Sequence, residues 1–192
     1  VKHIRTKILA TSLLLAAMSP AAFASDGTIT FTGLITGQTC SISGNGRPAG
    51  DFTVVLPNVS TSTLNTGGNT AGRAPFNIQL TGCTPNAGNV AVYFEPGANV
   101  DLATGRLKNS TVAVPAAGTN PGVKAAGNVQ IGLLNSDMTN ISVGAAVATQ
   151  NPQRVALASG AATLQYYAQY VATGTATPGI ITSSVTYSIV YP

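Results

Sequence analysis

The sequence predicts an all-β protein folded as a sandwich of short strands. Three observations predict it. Apolar and polar residues alternate at period two in several short runs. Clusters of Gly, Asn, Pro and Ser, the residues that turns require, separate those runs. No stretch carries the apolar spacing of an amphipathic helix of normal length. Over 192 residues only 7% are charged while 44% are hydrophobic. A chain that apolar has enough to bury in a core, which a disordered chain lacks.

The elements follow in order. Val1 to Lys7 is basic, Ile8 to Met18 is an apolar run, and Ser19 to Ala24 reads SPAAFA. This is the pattern of a secretory signal, with cleavage expected after Ala24 and, as an alternative, after Ala21. The apolar run is too short for a stable membrane-spanning helix. The mature chain is then one domain preceded by a short leading segment, residues 25–36, with the body at 37–192. In GTITFTGLIT the odd positions Gly27, Ile29, Phe31, Gly33 and Ile35 form one face, and a strand is expected. Gly33 interrupts that face, as glycine does where another chain comes close. Gln38 to Ser43 stays extended, and Gly44 to Gly50 is a turn. Asp51 to Pro57 is a short strand, and Asn58 to Gly72 a loop with room for one helical turn. Pro75 to Cys83 alternates, with Phe76, Ile78 and Leu80 on one face. Asn89 to Phe94 is a strand, and Glu95 to Gly105 is rich in turn residues. Further strands are expected at Thr111–Val114, Val129–Leu134 and Leu164–Val171, with weaker ones at Ile141–Val147 and Arg154–Leu157. The last run is GIITSSVTYSIVYP.

The formal charge of +4 comes mostly from the leader. Removing Lys2, Arg5 and Lys7 from nine basic residues leaves six against five acidic ones. Those six are scattered, with no basic patch interleaved with aromatics, so nucleic acid is not an expected partner. Cys40 and Cys83 are the two cysteines. An even count in an exported chain favours a disulfide over two buried thiols. Two cysteines without a histidine do not fill a zinc shell.

The only histidine is His3, so the mature chain holds none, and it holds no tryptophan. That excludes Ser-His-Asp and Cys-His catalysis and histidine-based metal chemistry. The remaining acids are Asp26, Asp51, Glu95, Asp101 and Asp137. Glu95 and Asp101 are near enough in sequence for a glycosidase pair, but EPGANVD is a turn, where acids are ordinarily solvated. The Gly-rich stretches at Gly44 and Gly67 lack the lysine or strand-to-helix context of a phosphate loop. The sequence therefore reads as non-enzymatic, with no cofactor and no metal.

Four features recur in a fixed order. The segment with Phe31, Gly33 and Ile35 leads. Cys40 follows Phe31 by nine residues, and Cys83 closes the run PF-x-I-x-L-x-G-C. Gly179 is fourteenth from the last residue, and Tyr191 is penultimate. In these features the chain resembles a type 1 fimbrial major subunit, of the chaperone–usher pilin family.

The resemblance implies an incomplete immunoglobulin-like sandwich, six-stranded and lacking its seventh strand, with a groove beside the last strand. It implies a structural subunit that polymerises by donor-strand exchange into a pilus shaft and so supports adhesion. The partners would be neighbouring copies of the pilin, a periplasmic chaperone and an outer-membrane usher, on a route through the periplasm to the cell surface. By the same resemblance Gly27, Ile29, Phe31, Gly33 and Ile35 are the donor strand. Gly179, Val185, Tyr187, Ile189 and Tyr191 mark the acceptor groove and C-terminal strand, and Cys40–Cys83 the disulfide. Other readings stay open: residues 28–35 as the first strand of the chain's own sandwich, a minor or adaptor pilin, or a secreted monomeric sandwich that binds carbohydrate.

Overall fold

The structure, a computed structural model, describes residues 29–33, 35, 37–117 and 122–192. It divides into two units, Val1–Thr36 and Gly37–Pro192. The signal-like segment 1–24 and residues 25–28, 34 and 36 lie outside the described residues. In the first unit, residues 29–33 and 35 belong to no strand.

The second unit is built around two long strands. β1 is Thr39–Gly44, and a 3-10 turn at Thr61–Leu64 is capped by the Ser60 hydroxyl, which accepts from the Ser62 amide. β2 is Thr70–Thr84, β3 Asn89–Phe94, β4 Val100–Asp101 and β5 Arg106–Lys108. β6 is Gly127–Asn135, β7 Asn140–Ile141, β8 Val155–Ala156, β9 Ala162–Thr177 and β10 Tyr187–Val190. One sheet runs β1-β2-β9-β6-β5-β4, with β7 paired to β6. The other is β10-β3-β8. All these pairings are antiparallel.

Period-two alternation explains the core. Phe76, Ile78 and Leu80 of β2 lie opposite Tyr166, Leu164 and Ala162 of β9, and all six are buried. Val90, Val92 and Phe94 of β3 close the sandwich from the second sheet. The buried Gln150 takes the place of a neighbouring strand at Phe94: its amide bonds both the Phe94 N–H and its carbonyl at 2.8 Å. Cys40 and Cys83 form a disulfide with 4.2 Å between Cα atoms, tying β1 to the end of β2. Closing a loop of this length contributes roughly 4 kcal/mol in the chain-entropy description.

Several elements differ from the sequence expectation. β2 begins at Thr70, inside the expected loop, because Gly72 takes a φ of +65° and forms a bulge rather than a break. β9 runs on to Thr177, past Val171. The strand expected at Thr111–Val114 shrinks to a single bridge between Val114 and Val123. Asp51 to Pro57 and residues 181–186 are outside every strand.

Candidate functional site

Those last two segments define the site. In residues 51–57 the side chains of Phe52, Val54 and Leu56 are half-buried, while Asp51, Thr53, Val55 and Pro57 are exposed. That is the alternation of a strand. Yet the backbone of 51–57 makes no hydrogen bond among the described residues. In residues 181–187, Ile181, Ser183, Val185 and Tyr187 are half-buried and Thr182, Ser184 and Thr186 exposed. One edge of this segment is paired. The Thr182 carbonyl accepts from the Ser110 amide at 2.8 Å, and the Thr186 carbonyl from the Glu95 amide at 2.9 Å. Backbone groups of successive residues in a strand point to opposite edges, so those of Ser183 and Val185 face the other way. There they have no partner among the described residues.

A cavity of about 650 Å³ lies between the two segments. Phe76, Ile78, Phe94, Leu107, Ile131 and Leu133 line it together with Phe52, Val54, Leu56, Val185 and Tyr187. At one end the Tyr187 hydroxyl donates to the Gly50 carbonyl at 2.7 Å. At the other, Val59 and Ile181 both pack on the cluster of Leu64, Val129, Ala172 and Ala176. The two walls therefore run antiparallel. Both present unpaired backbone, and the floor between them is the hydrophobic core itself. An open edge and a wet apolar floor are both unfavourable in water. Pro57, which lacks an N–H, suits a wall that has lost its ladder.

Aromatic rings join the walls to the floor. Phe52 stands 6.5 Å from Tyr187, edge-on, and 6.1 Å from Phe76. Phe76 stacks on Tyr166 at 5.6 Å, and Tyr166 meets Phe94 edge-on at 5.4 Å. Burial pushes the Tyr166 phenol up to about 12. Burial, and then the nearby negative charge of Asp51, raises the Tyr187 phenol. Hydrogen bonds from Ser188 and then Thr186 lower the carboxyl of Glu95, the residue that follows β3. Among the described residues no group of three His, Cys, Asp or Glu could hold a metal.

The predicted site residues distribute as follows. Val185 and Tyr187 line the cavity. Ile189 and Tyr191 are half-buried against the main core without lining it, and the Tyr191 hydroxyl meets the Cys40 sulfur at 3.6 Å. Gly179 is elsewhere, beside the bridge between Ala125 and Ile180, where a Cβ would come 2.4 Å from the Ala126 nitrogen. Gly27 is outside the described residues. Ile29, Phe31 and Ile35 expose 79%, 88% and 99% of their surface, and Gly33 has no neighbour within 4 Å of a Cβ position. The second wall, Phe52, Val54 and Leu56, was not expected as part of the site. Its signal was the short alternation between Gly50 and Pro57.

The family described as FimA, type-1 fimbrial protein A, matches residues 56–192. The chain belongs to that family. It is a fimbrial pilin, a structural protein rather than an enzyme. It is 50% identical to the major fimbrial subunit SMF-1 of Stenotrophomonas maltophilia, over 93% of this chain and 99% of that one. It is 45% identical to the F17 fimbrial protein of Escherichia coli, over 93% and 94%. In three dimensions it resembles the P pilus rod subunit PapA, with a TM-score of 0.54 at 18% identity over 80% of this chain and 99% of that one. A chaperone–usher pilus structure superposes equally well, with a TM-score of 0.54 at 20% identity over 91% and 100%. These structural likenesses establish the fold as the incomplete immunoglobulin-like sandwich of pilins.

Proposed function

We propose that this pilin is a subunit of a fimbrial shaft and that its groove receives, as the missing strand, the leading segment of a second copy. The observation that carries this reading is the pair of unpaired antiparallel walls over an apolar floor. A strand laid between them meets backbone partners on both sides, and every second side chain enters the core. This is strand addition, in which main-chain bonds give affinity and alternate side chains give specificity. The occupant is residues 27–35, with Ile29, Phe31 and Ile35 as the inserted side chains and Gly33 where the groove is shallow. These apolar side chains stand exposed at every second position, the arrangement the groove calls for. Burying Ile29 and Phe31 contributes roughly 3–6 kcal/mol before ordering costs. The contact is head-to-tail and does not close on itself, so copies add into a filament.

Before assembly the same groove needs a temporary strand, which a periplasmic chaperone supplies, and an outer-membrane usher passes subunits outward. Residues 1–24 are the export signal that starts this route. The 50% identity to a major fimbrial subunit favours the repeated shaft subunit over a minor or adaptor pilin.

Gly33→Trp tests the reading. Fibres should not grow from this variant, because the indole cannot enter the shallow part of the groove, while the subunit still co-purifies with its chaperone. Fibres of ordinary length from Gly33→Trp would overturn the donor assignment. A stable, soluble monomer obtained without any chaperone would overturn the assembly reading as a whole.

A further inference from the structure

We propose that Tyr187 is the gauge of the groove: it ties one wall to the other and holds them apart by the width of one missing strand. The inference deepens the strand-acceptor reading and rests on it.

Gly50 begins one wall and Tyr187 closes the other. Their hydrogen bond, 2.7 Å from Oη to the carbonyl oxygen, is the only hydrogen bond linking residues 50–57 to residues 181–187 among the described residues. Neighbouring strands lie about 4.8 Å apart, so a sheet with one strand left out has a gap of about 9.6 Å. A tyrosine side chain that crosses and ends in a hydrogen bond of 2.7 Å spans a gap of roughly that size, two interstrand spacings. Phenylalanine fills the same space without the tie, and leucine falls short. The Phe52 ring, edge-on to Tyr187 at 6.5 Å, braces the crossing.

The far end of the groove is held differently. There Val59 and Ile181 pack on a common apolar cluster, and the Ser183 hydroxyl is buried with no partner among the described residues. The groove thus has a packed end and a tied end. Packing alone leaves the tied end free to narrow or splay. With the tie, an arriving strand finds both walls at bonding distance and does not have to order them, and such preorganisation acts on association. Once the strand is in, its own ladder fixes both walls, and the tie becomes redundant.

The test dilutes the urea-unfolded full chain into a fluorescent peptide of residues 25–36, so that the groove forms with its occupant present, and follows capture and release. Tyr187→Phe keeps the ring and removes the tie, so capture should slow roughly three- to tenfold, the range of one net hydrogen bond. Release, and the unfolding midpoint of the filled protein, should stay as in the parent. Tyr187→Leu should slow capture further. Capture by Tyr187→Phe at the parental rate overturns the gauge while leaving the strand-acceptor reading intact. Equal changes in capture, release and midpoint also overturn it, since they mark a merely structural tyrosine. A parent chain that captures no peptide overturns the acceptor reading and the gauge together.

Discussion

Gly44 offers the most exacting perturbation of the groove from behind. It ends β1 in a buried position, and the Phe52 ring lies directly against its Cα. A Cβ there would stand 1.9 Å from Phe52 Cδ1 and 2.5 Å from both Cγ and Cε1. Carbon atoms in contact settle at about 3.5–4.0 Å, so the ring has to retreat by roughly 1.5–2 Å. Its retreat is blocked on two sides, by Phe76 at 6.1 Å and Tyr187 at 6.5 Å between ring centroids. The open direction is into the groove. Gly44→Ala should therefore do two separate things. It should destabilise the protein by about 1–3 kcal/mol, the cost of overpacking a filled site. It should also partly fill the cavity with the displaced phenyl ring and so hinder strand capture. Urea unfolding of the strand-filled protein reads the first effect, as a lower midpoint at unchanged slope. Capture of a peptide of residues 25–36 reads the second. A Gly44→Ala protein with the parental midpoint and the parental capture rate would refute the reasoning, because it would mean that Phe52 does not hold the wall position described above.

Two further outcomes follow from individual side chains. The Tyr166 hydroxyl is buried, approached by the Gln153 side chain and the Val92 backbone but with no well-formed hydrogen bond among the described residues, so Tyr166→Phe removes a poorly satisfied group and keeps both ring contacts. Thermal unfolding should show stability unchanged or raised by up to about 1–2 kcal/mol, and a clear loss would refute this assignment. The Tyr187 tie requires a protonated phenol, and that phenol is raised above 10.0 by burial and by Asp51. A raised pKa in the fold means that the contribution is complete below the ordinary phenol value and is lost as pH rises through the folded one. Capture should hence be flat through neutral pH and fall in the alkaline range above about 10, with no such fall specific to Tyr187 in the Tyr187→Phe protein.

What the sequence made legible was local. Asn89 to Phe94 is a strand with the expected bounds, because a short run of β-branched and aromatic residues between turn signals specifies a strand by itself. The pairing of Cys40 with Cys83 was legible because no other cysteine competes. The start of β2 was hidden, since Thr70 to Arg73 contains a glycine that reads as loop until its bulge is seen. The second wall of the groove was hidden for a deeper reason. Alternation in Asp51–Pro57 says that the segment is extended and which face is buried, but not whether its backbone has partners. Pairing is a non-local property, and its absence leaves no mark on composition. The same holds for Tyr187 and Gly50, which are 137 residues apart and whose contact no spacing rule anticipates. Gly179 shows the converse. Its position relative to the last residue was informative about family, while its packing against Ala125 and Ala126 serves a crossing outside the groove.

The incompleteness of the sandwich and the stability of a fibre are linked by one physical constraint. A small domain that leaves a wall unpaired and part of its core floor uncovered gives up a large fraction of the few kcal/mol that hold it folded. On the proposed reading that deficit is restored only in the assembled state, by apolar side chains that are themselves exposed on the free subunit. The stability of each body and the strength of each joint then come from the same contacts, and neither can be weakened alone. A substitution in the floor, at Phe94 or Leu133 for example, acts on both at once. A substitution at the tied end, at Tyr187, acts on how fast the joint forms and not on how firmly it holds. On that reading the groove separates two properties that a simple hydrophobic interface would keep fused, and it does so with one tyrosine side chain whose hydroxyl reaches the opposite wall's carbonyl at 2.7 Å.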